Sequence, residues 1–498
     1  MSVKSVAARV FAAYIDKKTQ RWSRNPVKSQ QDVFKKLLKV AGNTAFAKAH
    51  SFSSIKTHQD FVNQVPIRDY EDLKPFVDRV VAGESGVLWP GKPLYFAKTS
   101  GTTSGAKYIP LTKESMPEHI KAARNAILSY IHETGTSKFV DGKMIFLQGS
   151  PEMEEQNGIQ LGRLSGIVAH YVPDYLQKNR MPSWETNCIE DWETKVESVI
   201  DETIPESMSV ISGIPSWLQM YFERIVARTG KKVGDVFPEL DLLIYGGVNF
   251  EPYKSKFRSL LGRDIDSIEL FPASEGFFAY QDKQSEKGML LLLDAGIFYE
   301  FIPADQFHEE NPLRLTIADV EIGVNYVMII STTAGLWAYN IGDTIAFTNT
   351  SPYRVVVTGR IKHYISASGE HVIGKEVEEA MKATVEEHGL LINEFTVAPQ
   401  LETPPGELPY HEWFIEMDEI PTEQGLAGFN ETLDLQMRQQ NSYYDDLIKG
   451  KVLQPLKITI LKTGAFQEYM KSIGKLGGQN KLPRLSNDRK IAGFFEKL

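Results

Sequence analysis

Leu94-Tyr95-Phe96-Ala97-Lys98-Thr99-Ser100-Gly101-Thr102-Thr103-Ser104-Gly105-Ala106-Lys107 is the stretch around which this chain is organised. Leu94 to Ala97 is a short apolar and aromatic run that reads as a strand. From Ser100 to Gly105 nothing is larger than threonine. Two glycines let the backbone reach positive φ and approach a ligand closely. Successive N–H groups in such a turn, beside serine and threonine hydroxyls, form a concave anion site suited to a polyphosphate. A flexible Ser/Thr/Gly surface turn is the other reading of the same residues. The run is not a Walker loop, which has Lys directly after its second glycine and Ser or Thr after that Lys. Here Ala106 intervenes and Tyr108 follows Lys107.

At 498 residues the chain has material for two or three domains, and 42% hydrophobic with 24% charged residues is ordinary for a soluble globular enzyme. The net charge of −9 argues against a nucleic-acid partner, although a local cradle of N–H groups binds phosphate whatever the global charge. Cys188, the one cysteine, excludes an internal disulfide and a Cys-cluster zinc site and fits a cytoplasmic protein. The ten histidines include no H-E-x-x-H pattern, and there is no G-x-S-x-G elbow. No apolar run approaches the ~20 residues that span a bilayer, so no membrane partner is expected. Met289 to Ile302 comes closest, but Asp294, Gly296 and Glu300 break it into two strands around an Asp-Ala-Gly turn. Met1 to Trp22 has apolar residues near helical spacing and scattered lysines without the apolar core of a signal peptide. It reads as a docked amphipathic helix.

Further along, strands and helices alternate. Val33 to Asp78 is mostly helical, with one helix starting near Arg68–Leu73; Glu114 to His132 and Pro215 to Ala227 are helices. Lys143–Leu147, Met208–Ile211, Leu240–Tyr245 and Ser267–Phe271 read as strands, with a helix over about Pro252–Leu261. This alternation predicts a doubly wound, mostly parallel sheet with ligands at the carboxyl ends of its strands. The Ser100–Gly105 run and Gly246-Gly247 are both expected at such ends. From Met289 the style changes to short strands, Met289–Leu293, Ile297–Ile302, Val324–Ser331, Asp343–Phe347 and Arg354–Thr358, which predict an antiparallel sheet or small β-barrel attached to the α/β body. Beyond Thr358-Gly359-Arg360 come helix, strands, one long helix in the Thr422–Leu447 region, a strand and a short helix: a separate α+β domain.

Several short segments carry candidate chemistry. Phe271-Pro272-Ala273-Ser274-Glu275-Gly276 places a carboxylate at a strand end, where it ligates Mg²⁺ in a nucleotide site or is simply solvated. Tyr339-Asn340-Ile341-Gly342-Asp343 holds an aspartate on a tight turn, suited to both ribose hydroxyls or to an Asx contact with its own backbone. Tyr245-Gly246-Gly247-Val248 lets a planar base lie against backbone, or is a plain turn. Arg360 suits ribose, phosphate or a surface structural role equally. Lys481, in Gln479-Asn480-Lys481-Leu482-Pro483-Arg484, can reach an α-phosphate or stand in solvent.

The order of these segments is more specific than any one of them. The Ser/Thr/Gly loop, Gly-Gly, A-S-E-G, G-D, G-R and Q-x-K-x-P-R occur in sequence from Ser100 to Arg484. Together they resemble the auxin-responsive (Gretchen Hagen) family of acyl acid–amido synthetases within the acyl-adenylate-forming superfamily. Ile211–Trp217 and Asn441-Ser442-Tyr443-Tyr444 resemble it as well. The chain departs in having Asn340 where arginine is commoner, and one residue fewer in the loop before Ile109-Pro110. It looks like a bacterial-type member, for which hormone substrates are not assumed.

The resemblance implies an adenylate-forming (luciferase-like) fold: an N-terminal domain over residues 1–358 with its antiparallel part at about 289–358, a hinge at 359–365, and a mobile C-terminal domain over 366–498. It implies an ATP- and Mg²⁺-dependent ligase joining a carboxylic acid to an amine, an amino acid, through an acyl-AMP intermediate with release of pyrophosphate. Ser100, Gly101, Thr102, Thr103, Gly246, Gly247, Ala273, Ser274, Asp343 and Arg360 are implied to bind nucleotide, Glu275 to hold the metal, and Lys481 with Glu275 to be catalytic. Gly162–Gly166 and Trp217 line the acyl pocket or pack the core. A monomer or weak dimer is expected. The alternatives are an acyl-CoA synthetase, which shares the first half-reaction, and a nucleotide-binding protein without turnover.

Overall fold

The computed structural model describes residues 2–99, 107–172, 178–247, 250, 254–361, 364–365, 372–404, 407–476, 481–486 and 488–497. The chain forms two compact units. The first takes residues 1–247 and 265–356, the second residues 248–264 and 357–498.

In the first unit, β1 (Tyr95–Thr99), β2 (Lys107–Leu111), β4 (Glu154–Gln156) and β5 (Ile159–Gly162) make a four-stranded sheet in the order β2-β1-β5-β4, and β3 (Lys143–Phe146) lies outside it. Next come β6 (Arg180–Met181), β7 (Met208–Gly213), β8 (Leu242–Gly246), β9 (Asp266–Ala273), β10 (Gly276–Tyr280), β11 (Met289–Leu291), β12 (Ile297–Pro303), β13 (Asn325–Thr332), β14 (Tyr339–Thr350) and β15 (Tyr353–Arg360). Among the described residues these join β3 in one eleven-stranded sheet, ordered β12-β13-β14-β15-β11-β10-β9-β8-β7-β3-β6. Its β6-β3-β7-β8-β9 half is parallel. Direction reverses between β9 and β10, and β10/β11, β11/β15, β13/β14 and β12/β13 pair antiparallel. The antiparallel strands, expected as an attached sheet or small barrel, form a sheet that continues the α/β sheet edge to edge.

The parallel half is covered on both faces, which is why β8 reads as the unbroken apolar run Leu242-Leu243-Ile244-Tyr245, all four buried. Helix Met116–Thr134 and the N-terminal helix Val3–Ser23 pack there, bringing Ala12, Ile15, Ala122, Ala126 and Ile131 against Val210, Leu242, Ile244 and Ile268. Helices Met116–Thr134 and Pro215–Thr229 each have proline in the first turn and stop at a left-handed glycine, Gly135 and Gly230.

The opening stretch, Leu94–Lys107, departs from the expected parallel arrangement. β1 is not a strand of the parallel sheet; it pairs antiparallel with β2, from Tyr95↔Leu111 to Thr99↔Lys107, and parallel with β5. The Ser/Thr/Gly run thus links two strands of a hairpin instead of leaving a doubly wound strand. The cause is Lys107-Tyr108-Ile109-Pro110-Leu111, where Ile109 and Leu111 are fully buried, an apolar strand the sequence reading passed over.

In the second unit β16 (Tyr364–Ile365) pairs with β17 (Val372–Ile373), and β18 (Ile392–Gln400), β19 (Tyr410–Met417) and β20 (Lys457–Leu461) form a sheet around a core that includes Phe395, Trp413, Met381 and Leu433. The long helix expected across Thr422–Leu447 is two, Glu423–Gln440 and Ser442–Lys449. Asn441 breaks it: its backbone is extended and its Oδ1 accepts from Tyr444 N at 2.8 Å, capping the second helix. Helix Lys254–Leu261 belongs to this unit, pinned by buried Lys256 on Asp418, which also accepts from Asn393 Nδ2 at 2.6 Å.

The first unit buries the Glu300–Arg314 ion pair, with partly buried His58 at its edge. Glu300 on β12 accepts from Arg314 Nε (2.9 Å) and Nη2 (2.7 Å) and contacts His58 Nε2 (2.7 Å), while Arg314 Nη1 donates to Val65 O (2.6 Å). Burial alone would raise the Glu300 pKa; the Arg314 charge and the hydrogen bonds from His58 and Arg314 outweigh it and hold the carboxyl below the ordinary glutamate range. Its stabilising contribution is therefore present above the unfolded value of about 4.3 and is lost as pH falls through the folded one. Glu300→Ala leaves Arg314 buried and unpaired, so the first unit should lose roughly 3–5 kcal/mol. Hydrogen exchange over β12 and β13 would read that loss; unchanged protection would refute it.

Candidate nucleotide-binding site

The carboxyl ends of β7, β8 and β9 lie along one edge of the parallel half, in the register Gly213↔Tyr245 and Gly246↔Leu270. Gly246 is required by its neighbour strand: a Cβ there would stand 2.5 Å from Leu270 O. Gly247 follows with φ +92°, turning the chain off the sheet. One strand further, Ala273 pairs with Gly276, so Ser274 and Glu275 are the two-residue turn of the β9–β10 hairpin. Ser274 is buried and Glu275 half-buried. At Gly276 a Cβ would stand 2.6 Å from Ile297 Cδ1, so a larger residue there would require that side chain to shift. The structure thus brings Gly246, Gly247, Ala273, Ser274 and Glu275 to one edge, with the carboxylate on a turn fixed by strands on both sides.

Asp343 belongs to the same sheet but sits on β14, with β15, β11 and β10 between it and β9. The tight turn expected there is a bulge inside a continuous strand. Val327 pairs with Thr344 and Ile329 with Asn340, so Ile341, Gly342 and Asp343 oppose Met328 alone. Gly342 takes φ +87°, and its N–H donates to Asn340 Oδ1 at 2.8 Å. Asn340 shapes the bulge that presents Asp343, which is 8% exposed. Arg68 clamps the strand start from outside the sheet: its N–H donates to Ala338 O (3.0 Å), its carbonyl accepts from Asn340 N (2.8 Å), and its guanidinium reaches His50 Nε2 (2.8 Å). No local pattern around Arg68 signals this role, because the contact joins residues far apart in sequence.

Ser100, Gly101, Thr102 and Thr103 lie outside the described residues, as do Gln479 and Asn480. The segment leaving the loop is described: Tyr108 N donates to Tyr70 Oη at 2.8 Å, and Lys107 Nζ lies 5.4 Å from the Tyr70 ring centre. Trp217 is buried, its ring tilted against that of Trp192 with ring centres 4.2 Å apart, a packing contact. Gly166 carries no side chain because a Cβ would meet Ser150 O at 2.6 Å.

Arg360 and Lys481 belong to the second unit, which begins within β15, at Val357. Arg360 ends β15, exposed, just after Gly359 at φ +144°. Lys481 is exposed, but the chain after it is fastened to β18. Thr396 Oγ1 donates to Pro483 O (2.8 Å), Val397 N to Arg484 O (2.9 Å), and Ser486 N to Val397 O (2.9 Å). Arg484 is buried, bonded to Glu378 (3.2 Å), Glu394 and Phe395 O (3.1 Å), and lies over the Phe395 ring. In Q-x-K-x-P-R, then, the arginine is the anchor and the lysine is what it presents. Glu376 and Glu378 are internal braces too: Glu376 accepts from Ile373 N and Asn441 Nδ2, both at 2.9 Å.

These two units make up the fold of the acyl-adenylate-forming ligases. Superposition on a 2-hydroxyisobutyryl-CoA ligase gives a TM-score of 0.59 at 14% identity over 95% of this chain and 90% of that one. The GH3.15 acyl acid amido synthetase superposes at 0.78, 17% identical, over 98% and 96%. The particular family follows from sequence. Residues 16–196 match the GH3 family N-terminal domain, 290–360 its central domain and 375–490 its C-terminal domain, so the chain belongs to the GH3 family. Among its relatives are the indole-3-acetic acid-amido synthetase GH3.15 of Arabidopsis thaliana, 23% identical over 88% of this chain and 87% of that one. Another is the jasmonoyl–L-amino acid synthetase GH3.5 of Oryza sativa subsp. japonica, 23% identical over 93% of each chain.

Gly246→Ala offers a direct check of the strand-edge geometry. The nearest atom to the added Cβ is backbone of the paired strand, which cannot swing aside like a side chain. The variant should lose roughly 1–3 kcal/mol of stability and bind ATP more weakly. Calorimetric titration together with thermal unfolding measures both; wild-type values for each would show that the strands separate freely at this point.

Proposed function

We propose that this chain is an ATP-dependent ligase that activates a carboxylic acid as its acyl-adenylate and joins it to the amine of an amino acid, releasing pyrophosphate and AMP. What carries the reading is kinship along nearly the full length with proteins named as amido and amino acid synthetases, together with a strand-edge site whose residues suit the first half-reaction. The substrate carboxylate attacks the α-phosphorus, and pyrophosphate leaves. The amino group then attacks the activated carbonyl, AMP leaves, and the amine gives up a proton.

In this reading Gly246 and Gly247 border the base, Asp343 accepts from the ribose hydroxyls, and Ser100, Gly101, Thr102 and Thr103 hold phosphate. Ala273 and Ser274 set the turn beside it. Arg360 contacts ribose or phosphate within the 359–365 hinge, and Lys481 offsets charge on the α-phosphate. Mg²⁺ fits Glu275: the ion keeps much of its water and takes one or two carboxylates plus substrate phosphates, so a single carboxylate on a rigid turn suffices. Among the described residues no group of three or more His, Cys, Asp and Glu is placed to hold a metal. When bound, the ion would neutralise phosphate charge. Among the described residues no helix is long and apolar enough to cross a membrane. We place the protein in the cytoplasm, as a monomer or weak dimer.

Two substitutions separate the roles. Glu275→Gln should abolish acid-dependent ATP–pyrophosphate exchange with the melting profile unchanged; near wild-type exchange would remove Glu275 from the metal. Lys481→Ala should raise the barrier to adenylate formation by about 3–4 kcal/mol yet barely change consumption of a preformed acyl-adenylate, as single-turnover assays of each half-reaction would show. Equal loss in both halves contradicts the assignment.

The overall reaction is tested by screening acids for pyrophosphate exchange and then analysing products by mass spectrometry. An amide with one or more amino acids is expected. If only the CoA thioester forms across all twenty amino acids, the chain is an acyl-CoA synthetase, and if no acid supports exchange, it is a nucleotide-binding protein without turnover.

A further inference from the structure

The first helix, Val3–Ser23, is docked through one face. Ser5, Ala12 and Ile15 are buried, and Ser137 Oγ bonds Ser5 Oγ (2.6 Å) and Arg9 Nε (2.9 Å). On the opposite face Val3, Val10, Tyr14, Lys17 and Arg21 follow one line, at intervals of seven, four, three and four residues, with Val6 beside them. Val3, Val6, Val10 and Tyr14 are 87%, 49%, 69% and 51% exposed. Outward-facing apolar surface therefore runs for about three turns and is continued along the same line by outward-facing cations. Phe11, partly exposed, lies at the margin of this strip with the Arg124 guanidinium 5.2 Å from its ring centre.

A scattered apolar residue on a surface is ordinary; an aligned series is not. Charge supplies the second observation. Residues 1–39 hold ten lysines and arginines against two acids, in a chain whose net charge is −9. Both acids are engaged: Asp16 lies 3.3 Å from His132 Nε2, and Asp32 is paired with Lys28 at 2.6 Å. Lys4, Lys17, Lys18, Arg21 and Arg24 all face solvent.

We propose that this face docks on the surface of an anionic phospholipid bilayer, with the valines and Tyr14 at the headgroup boundary and Lys17, Lys18 and Arg21 on lipid phosphates. Lipid-surface binding needs two signals, apolar contact and positive charge, and the line supplies both end to end. A second copy of the chain fits less well, because an antiparallel self-contact would bury these cations against the partner's valines and a parallel one would set them against one another. Nucleic acid would satisfy the cations and leave Val3, Val6 and Val10 facing phosphate. The inference departs from the expectation of no membrane partner, which considered only segments able to span a bilayer.

The test is co-sedimentation of the full chain with vesicles of pure phosphatidylcholine, and of equal parts phosphatidylcholine and phosphatidylglycerol. Binding is expected with the mixed vesicles alone, and should fall away in about 1 M salt, where the Debye length is roughly 3 Å. Val10→Asp, and separately Lys17→Glu with Arg21→Glu, should each lower partitioning on the order of tenfold or more at an unchanged thermal midpoint, since these side chains face solvent. Failure to sediment with the mixed vesicles overturns the proposal, and so does equal sedimentation of wild type and both variants. Two further outcomes also refute it. Concentration-dependent dimerisation abolished by Val10→Asp would make the face a self-interface, and duplex DNA that binds the chain more tightly than the mixed vesicles would make it a nucleic-acid surface.

Discussion

Between Ala273 and Gly276 the backbone has two residues in which to reverse, and there the large sheet changes from parallel to antiparallel pairing. The geometry on either side depends on that reversal. On one side β9 is locked to β8 so closely that position 246 has no room for a Cβ; on the other, β10 runs back against it with Phe277 and Phe278 buried. Ser274 and Glu275 are what remains between the two constraints. A carboxylate carried this way is placed by backbone pairing, so it need not be reorganised when charge arrives beside it. A solvated loop would offer the same residue without that pre-organisation.

How much of this could be read from sequence varies with the range of the interaction. The run Leu242–Tyr245 declares itself as a buried parallel strand because both its faces are apolar. The proline-first, glycine-last helices are legible for the same local reason. β1 misled because its own residues fit a parallel or an antiparallel neighbour equally; only the pairing with Lys107–Leu111 decides, and that depends on a partner beyond the intervening loop. The break at Asn441 was hidden inside a helical pattern, since one side chain turning to cap Tyr444 N outweighs propensity over a whole turn. Helix Lys254–Leu261 belongs to the second unit through Lys256 and Asp418, a contact between residues 162 positions apart that no periodicity records.

At the candidate site the short motifs are legible in the sequence, and the contacts that support them are not. Asp343 was legible as a fixed carboxylate, but its support, the Asn340 bond and the Arg68 clamp, was not. Arg68 reads as an ordinary residue before a helix cap. Its two backbone bonds to Ala338 and Asn340 make it an added edge on β14, and its guanidinium is held by a histidine whose Nδ1 faces Phe46 O at 2.8 Å. Burial keeps the His50 pKa below its usual value, as does the neighbouring guanidinium, so the ring stays neutral and accepts from Arg68.

The same division recurs in each short motif. In Gly342-Asp343 the glycine makes the bulge and the aspartate is what the bulge presents. In Lys481-Leu482-Pro483-Arg484 the buried arginine, held by two glutamates and a ring face, fixes the chain from which the lysine extends. In Ser274-Glu275-Gly276 the glycine admits Ile297 and the glutamate occupies the turn. Each motif is short because it contains its own scaffold: the candidate reactive residue and the one that positions it are neighbours in the chain. That proximity is why motifs could be read at 23% identity, where the long-range contacts supporting them could not. A substitution at the scaffold half of such a pair should therefore affect function through geometry, without removing the reactive group itself.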